Sequence, residues 1–222
     1  MTPTEDEGAE THEEIMRATY RALCHRGYAH LTMQDIADEL GKSRTLLHYH
    51  FDTKEELMAA YLDRMIGWLR AQLDDSETTD PIDRLGEYLE FFVIAPANQH
   101  EHLGLAILEM RMQAIHNELF RKKLTEHYEA NVETGATIIE DGIDEGRFRP
   151  DADPWLVAEA VYTAMVGARA YQLTLHAGPA SARMARTVWS VLESQLLTEA
   201  GRDRLEAADY PQTDLPTIAA TE

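Results

Sequence analysis

The stretch from Leu31 to Phe51, LTMQDIADELGKSRTLLHYHF, constrains this chain more than any other. Thr32 followed three residues later by Asp35 is a capping box, and it opens a short helix over TMQDIADEL. Ile36, Ala37 and Leu40 share one apolar face of that helix. Gly41 accepts the left-handed conformation that stops it. Ser43 then caps RTLLHYH as a second helix. Two short helices joined by a glycine-containing turn make a helix-turn-helix, in which the start of the second helix meets base edges in the major groove.

The residue types of the second helix suit that task. Arg44 can fork onto guanine O6 and N7, and the methyl of Thr45 can touch a thymine methyl. The Ser43 hydroxyl and the open amides of the helix start can hold a phosphate. His48, Tyr49 and His50 place hydrogen-bonding groups along the nucleic-acid backbone, while Leu47 points inward. The same spacing also fits a helical hairpin with no role at DNA.

The longer stretch GYAHLTMQDIADELGKSRTLLHYHFDTKEEL resembles the DNA-binding segment of the TetR family of transcriptional repressors. The matching residues are Gly27, Thr32, Ile36, Ala37, Gly41, Ser43, Leu47, Tyr49, His50, Phe51, Lys54 and Leu57. Thr45 stands where many members carry glycine, and His48 where tyrosine is frequent, so the operator sequence stays open. The resemblance places Lys54 at a phosphate; read from its acidic surroundings alone, Lys54 is a solvated charge.

Composition limits the alternatives. At 222 residues the chain can bury a sizeable core. No run of eighteen apolar residues exists, so no membrane partner is expected. The N-terminus MTPTEDEGAE is acidic, the opposite of a signal peptide. Cys24 is the one cysteine, which fits a reducing cytoplasm and leaves no cysteine-based zinc site. The formal net charge of -20 runs against DNA binding, because Lys and Arg supply the salt-dependent attraction to phosphate. Lysine occurs only at positions 42, 54, 122 and 123. An acid-rich, lysine-poor surface suits high internal salt, as in halophiles, and also fits an ordinary acidic protein. The Debye length is about 3 Å at 1 M salt, so repulsion from phosphate is then largely screened.

Periodicity makes the chain all-α, with about nine helices: a three-helix DNA-binding domain and a larger helical domain for ligand binding and dimerisation. Residues 1–9 read as disordered, 10–52 as the helix-turn-helix domain, 53–199 as the second domain, and 200–222 as a disordered acidic tail. A helix over residues 10–26 buries Ile15, Ala18, Thr19, Ala22 and Leu23. A long helix beginning at Lys54 leads from DNA to the next domain, so a tilt at its far end must move the reading head.

Two apolar helices near the C-terminus carry more hydrophobic surface than one side can bury, which suits a central core or a subunit interface. The resemblance implies the interface, with Trp155, Val166, Met184, Val188, Trp189 and Leu192 as its candidates. A homodimer would present two recognition helices about 34–36 Å apart to a palindromic double-stranded operator. Trp68, Phe92, Met112, His116, Tyr128, Tyr162, Met165 and Arg169 are the candidates for a small-molecule effector pocket, since aromatics and methionines with a few polar groups line such sites. They are also what ordinary cores contain. Arg169 needs a partner on its apolar helix, either an acid of this chain or a ligand carboxylate.

No phosphate-cradling loop, nucleophile elbow or zinc-protease histidine pair is present. Hence no catalytic residue, metal ligand or cofactor is expected. The reading is a one-component regulator released from DNA by a small molecule, against the alternative of a helical ligand-binding or scaffold protein.

Overall fold

The computed structural model describes the backbone of residues 5–74, 79–97, 101–175 and 178–207, and the side chains of 10–65, 79–90, 104–175 and 178–206. The elements are α1 (Glu5–His30), α2 (Met33–Leu40), α3 (Arg44–His50), α4 (Lys54–Asp74), α5 (Pro81–Ala97), α6 (Glu101–Gln113), α7 (Glu118–Asp144), α8 (Pro154–Leu175), α9 (Ala180–Gln195) and α10 (Glu199–Ala207). Among the described residues the one β feature is an isolated bridge between Phe148 and Leu197.

The chain divides into two compact units, Met1–Trp68 with His100–His127, and Leu69–Gln99 with Tyr128–Glu222. This differs from a boundary at 52/53. The reason is packing: Ala106 and Met110 of α6 and Phe120 and Leu124 of α7 belong to the same buried cluster as Ile15, Leu23, Ile36, Leu47 and Leu57. The reading head therefore shares its core with part of the larger helical region. On α4 the buried face is Leu57, Met58, Tyr61 and Leu62, the spacing that one helical stripe demands. Lys123 of α7 bridges Asp63 of α4 at 2.9 Å.

The second unit is built around Tyr88, Val132, Ile139, Phe148, Tyr162 and Met165. Tyr88 donates its hydroxyl to the carbonyl of Asn131 at 3.1 Å, which satisfies a buried polar group at the centre of this core. Burial pushes the Tyr88 hydroxyl well above its ordinary pKa.

One expectation needs correction. Helix continues past residue 200, where a disordered tail is predicted; the described residues form ten helices, in line with the expected number of about nine. Although α10 is polar, its Arg204 reaches Asp80 and Asp83, each at 3.0 Å, and Leu205 packs on the core. A polar nine-residue segment has too few apolar positions for periodicity to reveal it; distant partners hold it helical. At the other end α1 reaches back to Glu5, into the stretch predicted to be disordered.

Candidate nucleic-acid interface

The helix-turn-helix forms from local signals. Thr32 Oγ1 accepts from Asp35 N at 3.2 Å, while Asp35 Oδ2 accepts from Thr32 N at 2.9 Å and from the Thr32 hydroxyl at 2.6 Å. The Thr32 hydrogen bond holds the Asp35 carboxyl below its ordinary pKa, helped by Arg26. Gly41 ends α2 at φ 68, and its amide and that of Lys42 close the turn onto Asp38 and Ala37. Ser43 is extended and accepts from Leu46 N at 3.4 Å, starting α3.

Leu47 is fully buried and anchors α3 in the core of the first unit. Around it Arg44, Thr45, His48 and Tyr49 are exposed, with Tyr49 at 75%. Arg44 Nε donates to Nε2 of His48 at 3.1 Å, one turn on, which requires a neutral imidazole at that nitrogen. The pair leaves the terminal nitrogens of Arg44 available to a base. His50 is half-buried and its ring meets that of Tyr49 edge-on.

The cations around this face are mostly engaged by the chain's own acids. Arg17 binds Glu13 at 3.1 Å, Arg21 binds Glu39 at 3.3 Å, Arg26 binds Asp35 at 3.4 Å, and Lys42 binds Glu14. Arg44 differs: among the described residues no carboxylate engages it. Lys54 of α4 is anchored on backbone of the first unit. Its ammonium donates to the carbonyls of Tyr28 and Leu31 at 3.3 and 3.1 Å and sits 4.2 Å from the Tyr28 ring centroid. Desolvation, then Glu55 and Glu109, push the Tyr28 hydroxyl up to about 12.

The other candidate residues are not all brought together. Trp68 and Phe92 lie outside the residues whose side chains are described. Met112 is 58% exposed, because Ala106 and Met110 form the buried face of α6 and position 112 points away from it. His116 is exposed in the turn after α6. In the second unit Tyr128 and Tyr162 meet edge-on at 5.5 Å, and Tyr128 donates to Glu159 Oε1 at 2.6 Å. Met165 is buried beside them in the same core, and Arg169 is half-buried on α8.

Of the interface candidates, Trp155 is 44% exposed and Val166, Met184 and Val188 are half-buried against the unit's own core. Leu192 is buried within the chain, and Trp189 packs beside Gly86 of α5. These two face inward because the broad apolar face of α9 docks on α5 as well as on α8. Sequence reasoning also passed over Tyr28 and Glu109, which sit beside the head; no periodicity or motif marks either one.

A capped, core-anchored helix-turn-helix with an exposed, polar second helix defines a DNA-binding regulator. Residues 15–61 match the family model of bacterial regulatory proteins, tetR family. The HTH-type transcriptional repressor KstR2 of Mycobacterium tuberculosis is 29% identical over 147 residues, 65% of this chain and 72% of that protein. A TetR transcription regulator from Haloarcula marismortui is 38% identical, with a TM-score of 0.78 over 85% of this chain and 99% of that one. A Saccharomonospora viridis regulator solved in complex with choline shares the fold, at 23% identity and a TM-score of 0.73 over 86% of this chain and all of its own. The chain belongs to the TetR family of transcriptional regulators. No described helix is long and apolar enough to cross a membrane.

Proposed function

We propose that this protein is a cytoplasmic, homodimeric repressor that reads a palindromic operator with α3 and leaves it when a small molecule binds the second unit. The observation that carries the reading is the outward face of α3. Arg44, Thr45, His48 and Tyr49 stand exposed over buried Leu47, and among the described residues no carboxylate ties up Arg44. Arg44 and Thr45 contact base edges, while Ser43, His48, Tyr49 and His50 contact the backbone. Thr32 and Lys54 steady the head, Thr32 through the exposed cap and Lys54 through the two carbonyls. The repressor assignment draws on the name of the KstR2 relative.

Dimerisation through α8 and α9 is supported by what those helices leave open. Trp155, Leu156, Tyr171 and Leu175 on α8 and Val191 on α9 are exposed, large and apolar. Along α8 the exposed positions Leu156, Ala160, Thr163, Tyr171 and Thr174 carry no charge, in a chain of net charge -20. An uncharged exposed stripe on such a surface is what a self-complementary interface needs. The first unit carries the reading head, and the second carries the effector site and the dimer helices. An effector held near Tyr128, Tyr162, Met165 and Arg169 shifts the population toward a geometry with misplaced recognition helices. A hundredfold release takes about 2.7 kcal/mol of preference for the non-binding state.

The test is fluorescence anisotropy of labelled duplex from the gene's upstream region in molar potassium chloride, with sedimentation to set the stoichiometry. Saturable binding by a dimer, weakened by about 1–3 kcal/mol in Arg44→Ala with folding intact, is the expected result. A folded protein that binds no duplex at any salt, with or without metabolites, would sink the repressor reading and leave a ligand-binding protein.

A further inference from the structure

The end of α1 is one helical turn set off from the rest of the helix at Gly27. Gly27 has φ 66 and ψ 170, a conformation open essentially to glycine alone. It breaks the hydrogen-bond ladder, so the amides that follow need a new acceptor. Glu109 of α6 supplies it: Oε2 accepts from Tyr28 N at 2.8 Å and from Ala29 N at 3.0 Å. At the other end of the turn, Lys54 of α4 donates to the carbonyls of Tyr28 and Leu31. An anion at the amide end and a cation at the carbonyl end match the polarity of a helical turn. Both are charge-assisted contacts. The Tyr28 ring also packs edge-on against Phe120 of α7, 5.6 Å between centroids.

The clamped turn runs directly into Thr32, the cap of α2. The direction in which α2 and α3 leave α1 therefore follows from how this turn is held. Neither a lone capping residue nor a packed side chain would tie it to three other helices at once. We propose that Glu109 is a positioning residue for operator binding, whose carboxylate sets the orientation of the reading head. The proposal rests on α3 being the DNA-reading helix. It assigns to one side chain the coupling between α6 and the head.

The experiment compares wild type, Glu109→Gln and Glu109→Ala by amide hydrogen exchange and by operator anisotropy, well below each variant's unfolding temperature. In Glu109→Ala the amides of Tyr28 and Ala29 should exchange at least tenfold faster. Amides across residues 33–50 should follow by severalfold, with those of residues 128–144 unchanged. Operator affinity should fall about tenfold, and Glu109→Gln, which keeps a neutral acceptor oxygen, should fall between. Unchanged operator affinity in a folded Glu109→Ala would overturn the proposal and leave Glu109 a purely structural group. If Glu109→Ala does not fold, Glu109→Gln decides: weaker binding at unchanged helicity supports it, and wild-type binding overturns it. If the wild type binds no duplex, the repressor reading fails on its own. The exchange across 33–50 then decides whether Glu109 orders the head, with unchanged rates overturning it.

Discussion

The backbone carbonyl of Arg147 occupies the space where Gly201 would carry a side chain. A Cβ on Gly201 would overlap that oxygen and lie 3.3 Å from the carbonyl carbon and 3.4 Å from Leu197 Cδ2. The same turn accepts from Thr198 N at 3.0 Å, so α10 is seated on backbone that cannot give way.

Gly201→Ala should therefore destabilise the protein by about 1–3 kcal/mol through overpacking. Gly86→Ala provides the contrast, because among the described residues a Cβ there meets only Trp189, at 3.9 and 4.0 Å. That is ordinary contact inside a helix, and the substitution should stabilise by about 0.5–1 kcal/mol. Urea titrations of both variants check the opposite signs.

The Thr32 cap predicts a second effect. Thr32→Ala removes the acceptor for Asp35 N and should cost about 1 kcal/mol. It should also alter the acid limb of the stability curve. Asp35 titrates below its unfolded value, so its contribution is present above that value and lost as pH falls through the folded one. Without Thr32 the main cause of the lowered pKa is gone. The measure is urea unfolding at pH 7 and at pH 3, with a smaller mutational penalty at the lower pH.

His127 on α7 makes a separate window. Desolvation, and to a lesser degree Arg111, lower its pKa from 6.5 to about 4. The unfolded chain thus takes up a proton that the folded one refuses, and stability falls as pH drops from the unfolded pKa toward the folded one. The loss should reach about 2–3 kcal/mol across that window and then level off. His127→Gln should flatten the curve there, read by thermal unfolding from pH 7.5 to 4.

Charge pairing on the head predicts its salt response. With Arg17, Arg21, Arg26 and Lys42 engaged by acids, few cations are left to displace counterions. The log–log slope of operator affinity against salt should be no steeper than about -3. Glu39→Gln, which frees Arg21 and His25, should raise affinity at low salt and steepen that slope. The net charge of -20 gives the matching expectation for stability: the unfolding temperature should rise from 0.1 M to molar potassium chloride as self-repulsion is screened.

Much of the head was legible in the residues themselves. The capping box at Thr32 and Asp35, the left-handed stop at Gly41, the cap at Ser43 and the inward Leu47 all lie where the local signals place them. Each acts over three or four residues, so the chain near it contains the whole interaction. Trp189 and Leu192 show where that logic ends. Periodicity identifies an apolar face on α9 but not whether α5 of the same chain or a second copy will cover it, and here α5 covers part of it.

The sequence by itself determined most of the helices, the caps and the stop of the helix-turn-helix, the outward face of α3 and the family to which the chain belongs. Tertiary structure alone decided which distant groups meet. Glu109 lies 81 residues from Tyr28, Lys54 lies 26 from it, and Arg204 lies 124 from Asp80. A propensity or a cap is a property of neighbouring residues and leaves its mark in a short window. A contact across such separations exists only after the helices have packed, when burial of their apolar faces has brought those polar groups within reach.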